Sequence, residues 1–219
     1  MKNLTEVVFI LARSGSMGGL EDDTIGGFNS TLESQKKVEG EVLISTILFD
    51  HESIVLHDRV PLKEVKPLTR EDYQVRGTTA LLDAIGDAVK HIKNVHKYAR
   101  EEDRPAKTLF VITTDGMENA SRKFSYRNIK KLIEEQQGKG WEFLFLGANI
   151  DSVEVAGRMG IHANRAVNYH NDKLGTELKY RAVGGFISAL AAAPMFSVID
   201  DAWREEVDKD FEERKSDGK

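Results

Sequence analysis

Two serines, Ser14 and Ser16, flank a single glycine directly after the apolar run Val7-Val8-Phe9-Ile10-Leu11, in the segment Ala12-Arg13-Ser14-Gly15-Ser16-Met17-Gly18-Gly19. Further hydroxyls stand at Thr78 and Thr79 behind Gly77, and a carboxylate, Asp115, closes another apolar stretch in Thr113-Thr114-Asp115-Gly116. Hydroxyl oxygens and a carboxylate are hard ligands. They suit Mg²⁺ rather than zinc or copper, and Mg²⁺ takes near-octahedral oxygens while keeping several of its waters. Each group also has a plainer use, because serines after a strand cap helices and Asp-Gly makes turns. Catalytic readings find less support. The glycines after the first apolar run do not form Gly-x-Gly-x-x-Gly, and the Gly-Lys-Ser/Thr of a phosphate loop is missing. Ser14 has no nucleophile-elbow pattern and no histidine identifiable as its base. The six histidines show no metal-ligand spacing, and His91 and His96 are expected at solvated positions of a helix.

Positioning such groups requires strands that end where the groups begin. The run Val7–Leu11 reads as a strand covered on both faces, the usual case for parallel strands in α/β domains. Ile25, Phe28, Leu32 and Val38 predict a first helix over 24–37, with Asp22 and Asp23 favouring its amino end. Residues 41–50 predict a strand and 53–57 its hairpin partner at the sheet edge, followed by a proline-containing loop over 58–76. Leu81, Ile85, Ala88, Val89, Ile92 and Val95 trace one face of a long helix. Strands are predicted at 108–114, 141–147 and 166–169, with helices around Ile129–Gln136 and after Asp151. A last core helix over 176–190 carries Leu178, Ala182, Val183, Phe186, Ile187 and Leu190 as its apolar stripe. Beyond Pro194 the chain is dominated by charge, with a narrow stripe of Trp203, Val207 and Phe211 spaced by four, so residues 195–219 are expected to form a tail or helix that adds less to the core.

Strand and helix thus alternate, which gives a doubly wound α/β sheet with right-handed crossovers. The 219 residues fit one such domain, 1–194, and a hydrophobic content of 40% is ample for its core. A net charge of −5 argues against a nucleic-acid partner, which calls for a basic face. With no cysteine, disulfides, thiolate metal sites and cysteine nucleophiles are excluded. The segment Met1-Lys2-Asn3-Leu4 leads straight towards a strand without the apolar region of a secretory signal, and no run is long enough to span a bilayer, so a cytoplasmic location and no membrane partner are expected.

The spacing Ser14-Gly15-Ser16 after an apolar strand resembles the metal-ion-dependent adhesion site of von Willebrand factor A (VWA) domains, whose motif is Asp-x-Ser-x-Ser. Two further segments match in order, Gly77-Thr78-Thr79-Ala80-Leu81-Leu82-Asp83-Ala84-Ile85 and Thr113-Thr114-Asp115-Gly116, and the helix register after the threonines favours Thr79 over Thr78. The resemblance runs from Leu4 to the helix after Asp151 and points to the intracellular, prokaryotic type. It implies a Rossmann-like, mostly parallel six-stranded sheet in the order 3-2-1-4-5-6 with one antiparallel edge strand. The strands ending at Ala12 and Asp115 then lie side by side at the topological switch point, where such sheets bind ligands.

Carried over residue by residue, the resemblance assigns Ser14, Ser16, Thr79 and Asp115 to a metal, with Glu118 and Asn119 either on its rim or capping the neighbouring segment. It implies Mg²⁺, with Mn²⁺ or Ca²⁺ as alternatives, bridging to an Asp or Glu of a protein partner. The departure is Ala12, where the family has its first aspartate. One carboxylate remains of two, so metal affinity should fall. The expected function is a non-enzymatic protein-interaction module. The alternatives are a nucleotide-binding or hydrolytic enzyme using the same crevice, and a metal-independent scaffold. The sequence does not indicate the oligomeric state.

Overall fold

The computed structural model describes residues 4–37, 40–194 and 197–217. Met1, Lys2, Asn3 and Val38, which the sequence reading had drawn on, lie outside the described residues. Six strands form one sheet: β1 (Leu4–Ala12), β2 (Glu41–Phe49), β3 (Ser53–Pro61), β4 (Lys107–Thr114), β5 (Glu142–Gly147) and β6 (Ala166–Asn168). Their order is β3-β2-β1-β4-β5-β6, with β2 and β3 antiparallel and every other pair parallel. The expected fold class and strand order therefore hold.

The strands at the centre are apolar on both faces because both faces are covered. Val7, Phe9 and Leu11 of β1 face one core together with Leu109 and Val111 of β4, whereas Val8, Ile10 and Ala12 face the other with Phe110 and Ile112. The first core is closed by α1 (Glu21–Gln35) and α5 (Lys173–Ala192). The second is closed by α2 (Leu81–Tyr98), α3 (Tyr126–Gln137) and α4 (Ser152–Arg158). Helix α1 starts three residues earlier than its apolar pattern indicated, because Glu21, Asp22 and Asp23 occupy its first turn, where acidic groups meet the positive end of the helix dipole.

Two elements differ from the sequence reading. Strand β3 continues beyond His57 to Pro61, through register shifts opposite Ile44–Ile47 and a left-handed Arg59 (φ 54°). A bulge of this kind re-aims a side chain, and here Arg59 Nε reaches Glu6 Oε1 at 2.5 Å. His96 also differs from its expected solvated place: its Nε2 lies 2.5 Å from Glu6 Oε2 and its ring packs edge-on against Trp141 at 5.1 Å. Glu6 is fully buried in the middle of the molecule, and a buried carboxylate needs such partners.

The charged C-terminal region forms α6 (Glu205–Asp217) and folds back on the domain. Ile199, Trp203 and Val207 enter the same core as α5, with the Trp203 ring edge-on to Phe186 at 5.5 Å. Core packing therefore runs across the boundary expected at residue 194. Phe211, the third member of the stripe, stacks on His170 at 4.8 Å.

Candidate metal-binding site

The carboxyl ends of β1 and β4 meet as neighbours, and the groups they deliver converge. Ser14 Oγ donates to Asp115 Oδ1 at 3.3 Å and lies 3.4 Å from Ser16 Oγ. Gly116 is bordered by the other two hydroxyls, since a Cβ there would lie 3.4 Å from Ser16 Oγ and 3.8 Å from Thr79 Oγ1. The four residues singled out from the sequence thus surround one point, and Ser14, Thr79 and Asp115 are buried while Ser16 is exposed. Ala12, 2% exposed, presents only a methyl group at the end of β1.

The loop that carries Thr79 is held by a second buried carboxylate. Asp50, at the end of β2, accepts a hydrogen bond from Arg76 Nε on Oδ2 at 3.0 Å, while Arg13 Nε stands 3.0 Å from Oδ2 and His51 Nδ1 3.0 Å from Oδ1. Its carbonyl accepts from the Ala80 amide at 2.7 Å. Arg76 N donates to Arg13 O at 2.9 Å and Gly15 N to Gly77 O at 3.3 Å, so the serine loop and the threonine loop are sewn to each other. Gly77 has φ +68°, and a Cβ there would run into the His51 ring at 2.3 Å; only glycine suits this turn.

Asn119 and Glu118 complete the frame. Thr79 N donates to Asn119 Oδ1 at 2.9 Å, and Asn119 N returns a bond to Thr79 O at 3.0 Å. Glu118 accepts from Leu82 N in the first turn of α2, an amide that the helix start would leave unpaired, and from the loop amides of Ala120 and Ser121. Both residues bond the backbone of the site loops, and Asn119 does so from an exposed position.

Asp115 is the one acid at the point of convergence, and it is incompletely satisfied. Its Oδ2 is buried without a hydrogen-bond partner. Burial raises the pKa of its carboxyl above the ordinary value, against the lowering effects of the Ser16 and Ser14 hydroxyls and of the Lys179 charge. Lys179, which the sequence reading passed over, is 1% exposed on α5, and burial pulls its ammonium down to about 7 despite the field of Asp115. A signal was present: Thr176, Lys179, Tyr180 and Val183 share the helical phase of the buried face.

The donor set fits a hard dication in kind: three hydroxyl oxygens and a carboxylate with a free buried oxygen. It is short of charge. Among the described residues no group of three or more His, Cys, Asp or Glu side chains is arranged to hold a metal, so any such ion would depend on the hydroxyls.

No protein-family model matches the sequence, and no curated protein does so. Solved structures do match. The vWF domain of the type V pili tip protein Mfa5 from Porphyromonas gingivalis is 11% identical with a TM-score of 0.62, over 91% of this chain and 99% of that one. Proximal thread matrix protein 1 from the mussel byssus, with a zinc-occupied MIDAS motif, is 12% identical with a TM-score of 0.57, over 85% of this chain and 46% of that one. Manganese-loaded TRAP protein from Plasmodium vivax is 15% identical with a TM-score of 0.54, over 81% and 73%. The chain thus spans about half the length of the mussel protein and nearly all of the pilus-tip domain. At these identities the likeness is one of fold, and the fold is VWA-like.

Proposed function

We propose that this chain is a protein-interaction module whose binding point is the cluster of Ser14, Ser16, Thr79 and Asp115. The observation that carries the reading is the free, buried Oδ2 of Asp115 amid three hydroxyls at the switch point of a VWA-like sheet. An unpaired buried oxygen costs stability, and a ligand that supplies positive charge repays it. A bound Mg²⁺, or Mn²⁺ or Ca²⁺, would supply that charge and leave a coordination position for a partner's Asp or Glu. The protein's part is preorganisation: Asp50 and Asn119 fix the loops, and Ser14 and Ser16 orient the Asp115 carboxylate. With Ala12 in place of an aspartate, the ion is held weakly until a partner's carboxylate joins it. Binding without turnover is the reading, since among the described residues no histidine is hydrogen-bonded to the hydroxyls of Ser14 or Ser16. A cytoplasmic location, and action without nucleic acid or membrane, belong to the same proposal. Among the described residues no helix is long and apolar enough to cross a membrane.

The test is retention of this chain on an array of peptides with and without Asp or Glu, in Mg²⁺ and in chelator, beside Asp115→Ala. Acid-dependent retention that needs both Mg²⁺ and Asp115 is expected. Retention that survives chelation would favour the metal-independent scaffold, and nucleotide turnover would favour the enzyme.

A further inference from the structure

The second halves of α2 and α3 enclose a cleft of about 640 Å³. Arg104 and Trp141, which border it, stand just before β4 and β5, so it opens at the amino ends of the strands, away from the serine and threonine loops. Lys90, Lys93 and Lys97 reach it from one face of α2, since residues three, four and seven apart stack on a helix. Lys93 and Lys139 share Glu135. Lys90, Lys97 and Arg104 form no ion pair among the described residues: the two ammonium groups rest on the rings of Phe124 and Tyr98, and Arg104 Nε donates to the Ala99 carbonyl. The cleft is thus cationic in a chain of net charge −5. Its floor adds a donor: Gln136 is 1% exposed, and its Nε2 is buried without an acceptor. A carboxylate, which only accepts, suits both the rim and this amide.

The chain carries such carboxylates itself. From Asp200 to Glu213 there are eight acids against Arg204 and Lys209. Glu205 and Glu212 of α6 are exposed and form no ion pair among the described residues. They stand seven residues apart, two turns along one helix face, and so do Lys90 and Lys97 on α2. Each pair therefore spans about 10 Å. Helix α6 packs with α5 on one face of the sheet while α2 and α3 cover the other, so the acids and the cleft meet between copies and not within one. We propose that the cleft receives the acidic face of α6 from a second copy of this chain, in a head-to-tail contact that sets Lys90 and Lys97 against Glu205 and Glu212. A contact between two different patches is heterologous, so it builds rings or open chains rather than a closed two-fold pair. It uses none of the groups at the metal cluster and stands apart from the metal reading.

Sedimentation velocity decides the proposal. At low salt the native chain should form species larger than a monomer as its concentration rises, and added salt should disperse them, because exposed charges are screened within about 10 Å at 0.1 M. A chain that stays monomeric up to about 1 mM would overturn the proposal. Two variants locate the contact. One neutralises the cleft, Lys90→Gln with Lys97→Gln, and the other neutralises the helix, Glu205→Gln with Glu212→Gln; glutamine at these exposed helix positions keeps the fold. Each variant alone should associate about tenfold more weakly than the native chain. Their equimolar mixture should give dimers as its main species, because one intact cleft and one intact α6 face remain between them. Association unchanged in either variant, or a mixture that associates no better than its components, would overturn the head-to-tail contact.

Discussion

Asp50 and Asp115 lie at the ends of β2 and β4, both essentially inaccessible to solvent, and their surroundings are opposite. Asp50 is enclosed by two guanidinium groups and an imidazole, and also accepts from the Glu52 amide. Asp115 has hydroxyl neighbours and one free oxygen. Glu6, deep in β1, belongs with Asp50, since Arg59 and His96 take its two oxygens. Full pairing marks a carboxylate that holds the fold together, whereas an unfinished shell marks one kept available for a ligand. The first kind costs most when removed and the second when occupied by the wrong charge.

Breaking the paired acid should have the largest effect. Asp50→Ala leaves Arg13 buried with no counter-charge, and its Nε and Nη2 already lack hydrogen-bond partners. A loss of about 3–5 kcal/mol in denaturant-derived stability is expected, as for other buried pairs with one member removed. A change under about 1 kcal/mol would show that Asp50 is not what locks the loops together.

The next effect is one of pH. Lys179 has its pKa pulled down to about 7 in the folded chain, against about 10.4 when unfolded. Between these values the unfolded chain binds the proton and the folded chain does not, so stability rises with pH. The penalty is complete below about 7 and is relieved at up to about 1.4 kcal/mol per pH unit above it. The neighbouring Tyr73, Tyr169 and Tyr180 are all pushed above the ordinary tyrosine value and stay silent in this window, and burial raises the Asp115 carboxyl above its ordinary value. Denaturation series from about pH 7 to 9 should show this rise in the native chain and a flatter profile in Lys179→Met. Parallel profiles would remove the lysine from the account.

The smallest effect is expected at the unpaired acid. Asp115→Asn keeps the shape and removes a charge that burial disfavours, and Lys179 sheds its proton readily when its anion is gone. Stability should change by less than about 1 kcal/mol. A loss as large as that of Asp50→Ala would erase the distinction between the two carboxylates.

The sequence made the open acid legible and the paired ones illegible. Ser14, Ser16, Thr79 and Asp115 sit at element ends, where local pattern and spacing carry the information. The partners of Glu6 depend on a bulge that turns Arg59 and on a helix phase that brings His96 inward, and neither shows in the alternation of apolar residues. Lys179 was hidden for a related reason: the apolar stripe of α5 was drawn through Leu178, whereas the buried phase runs through Thr176, Lys179 and Tyr180. The docking of α6 likewise rests on Trp203 and Val207 finding Phe186 and its neighbours, a long-range match that a narrow stripe does not reveal.

The most direct test of the central claim is calorimetric titration with Mg²⁺ of the native chain and of Ala12→Asp. A second carboxylate beside the hydroxyls of Ser14 and Ser16 should tighten binding by about 1–3 kcal/mol with little change in fold. Equal affinities, or tighter binding by the chain with Ala12, would mean that position 12 and its neighbours do not form a metal site.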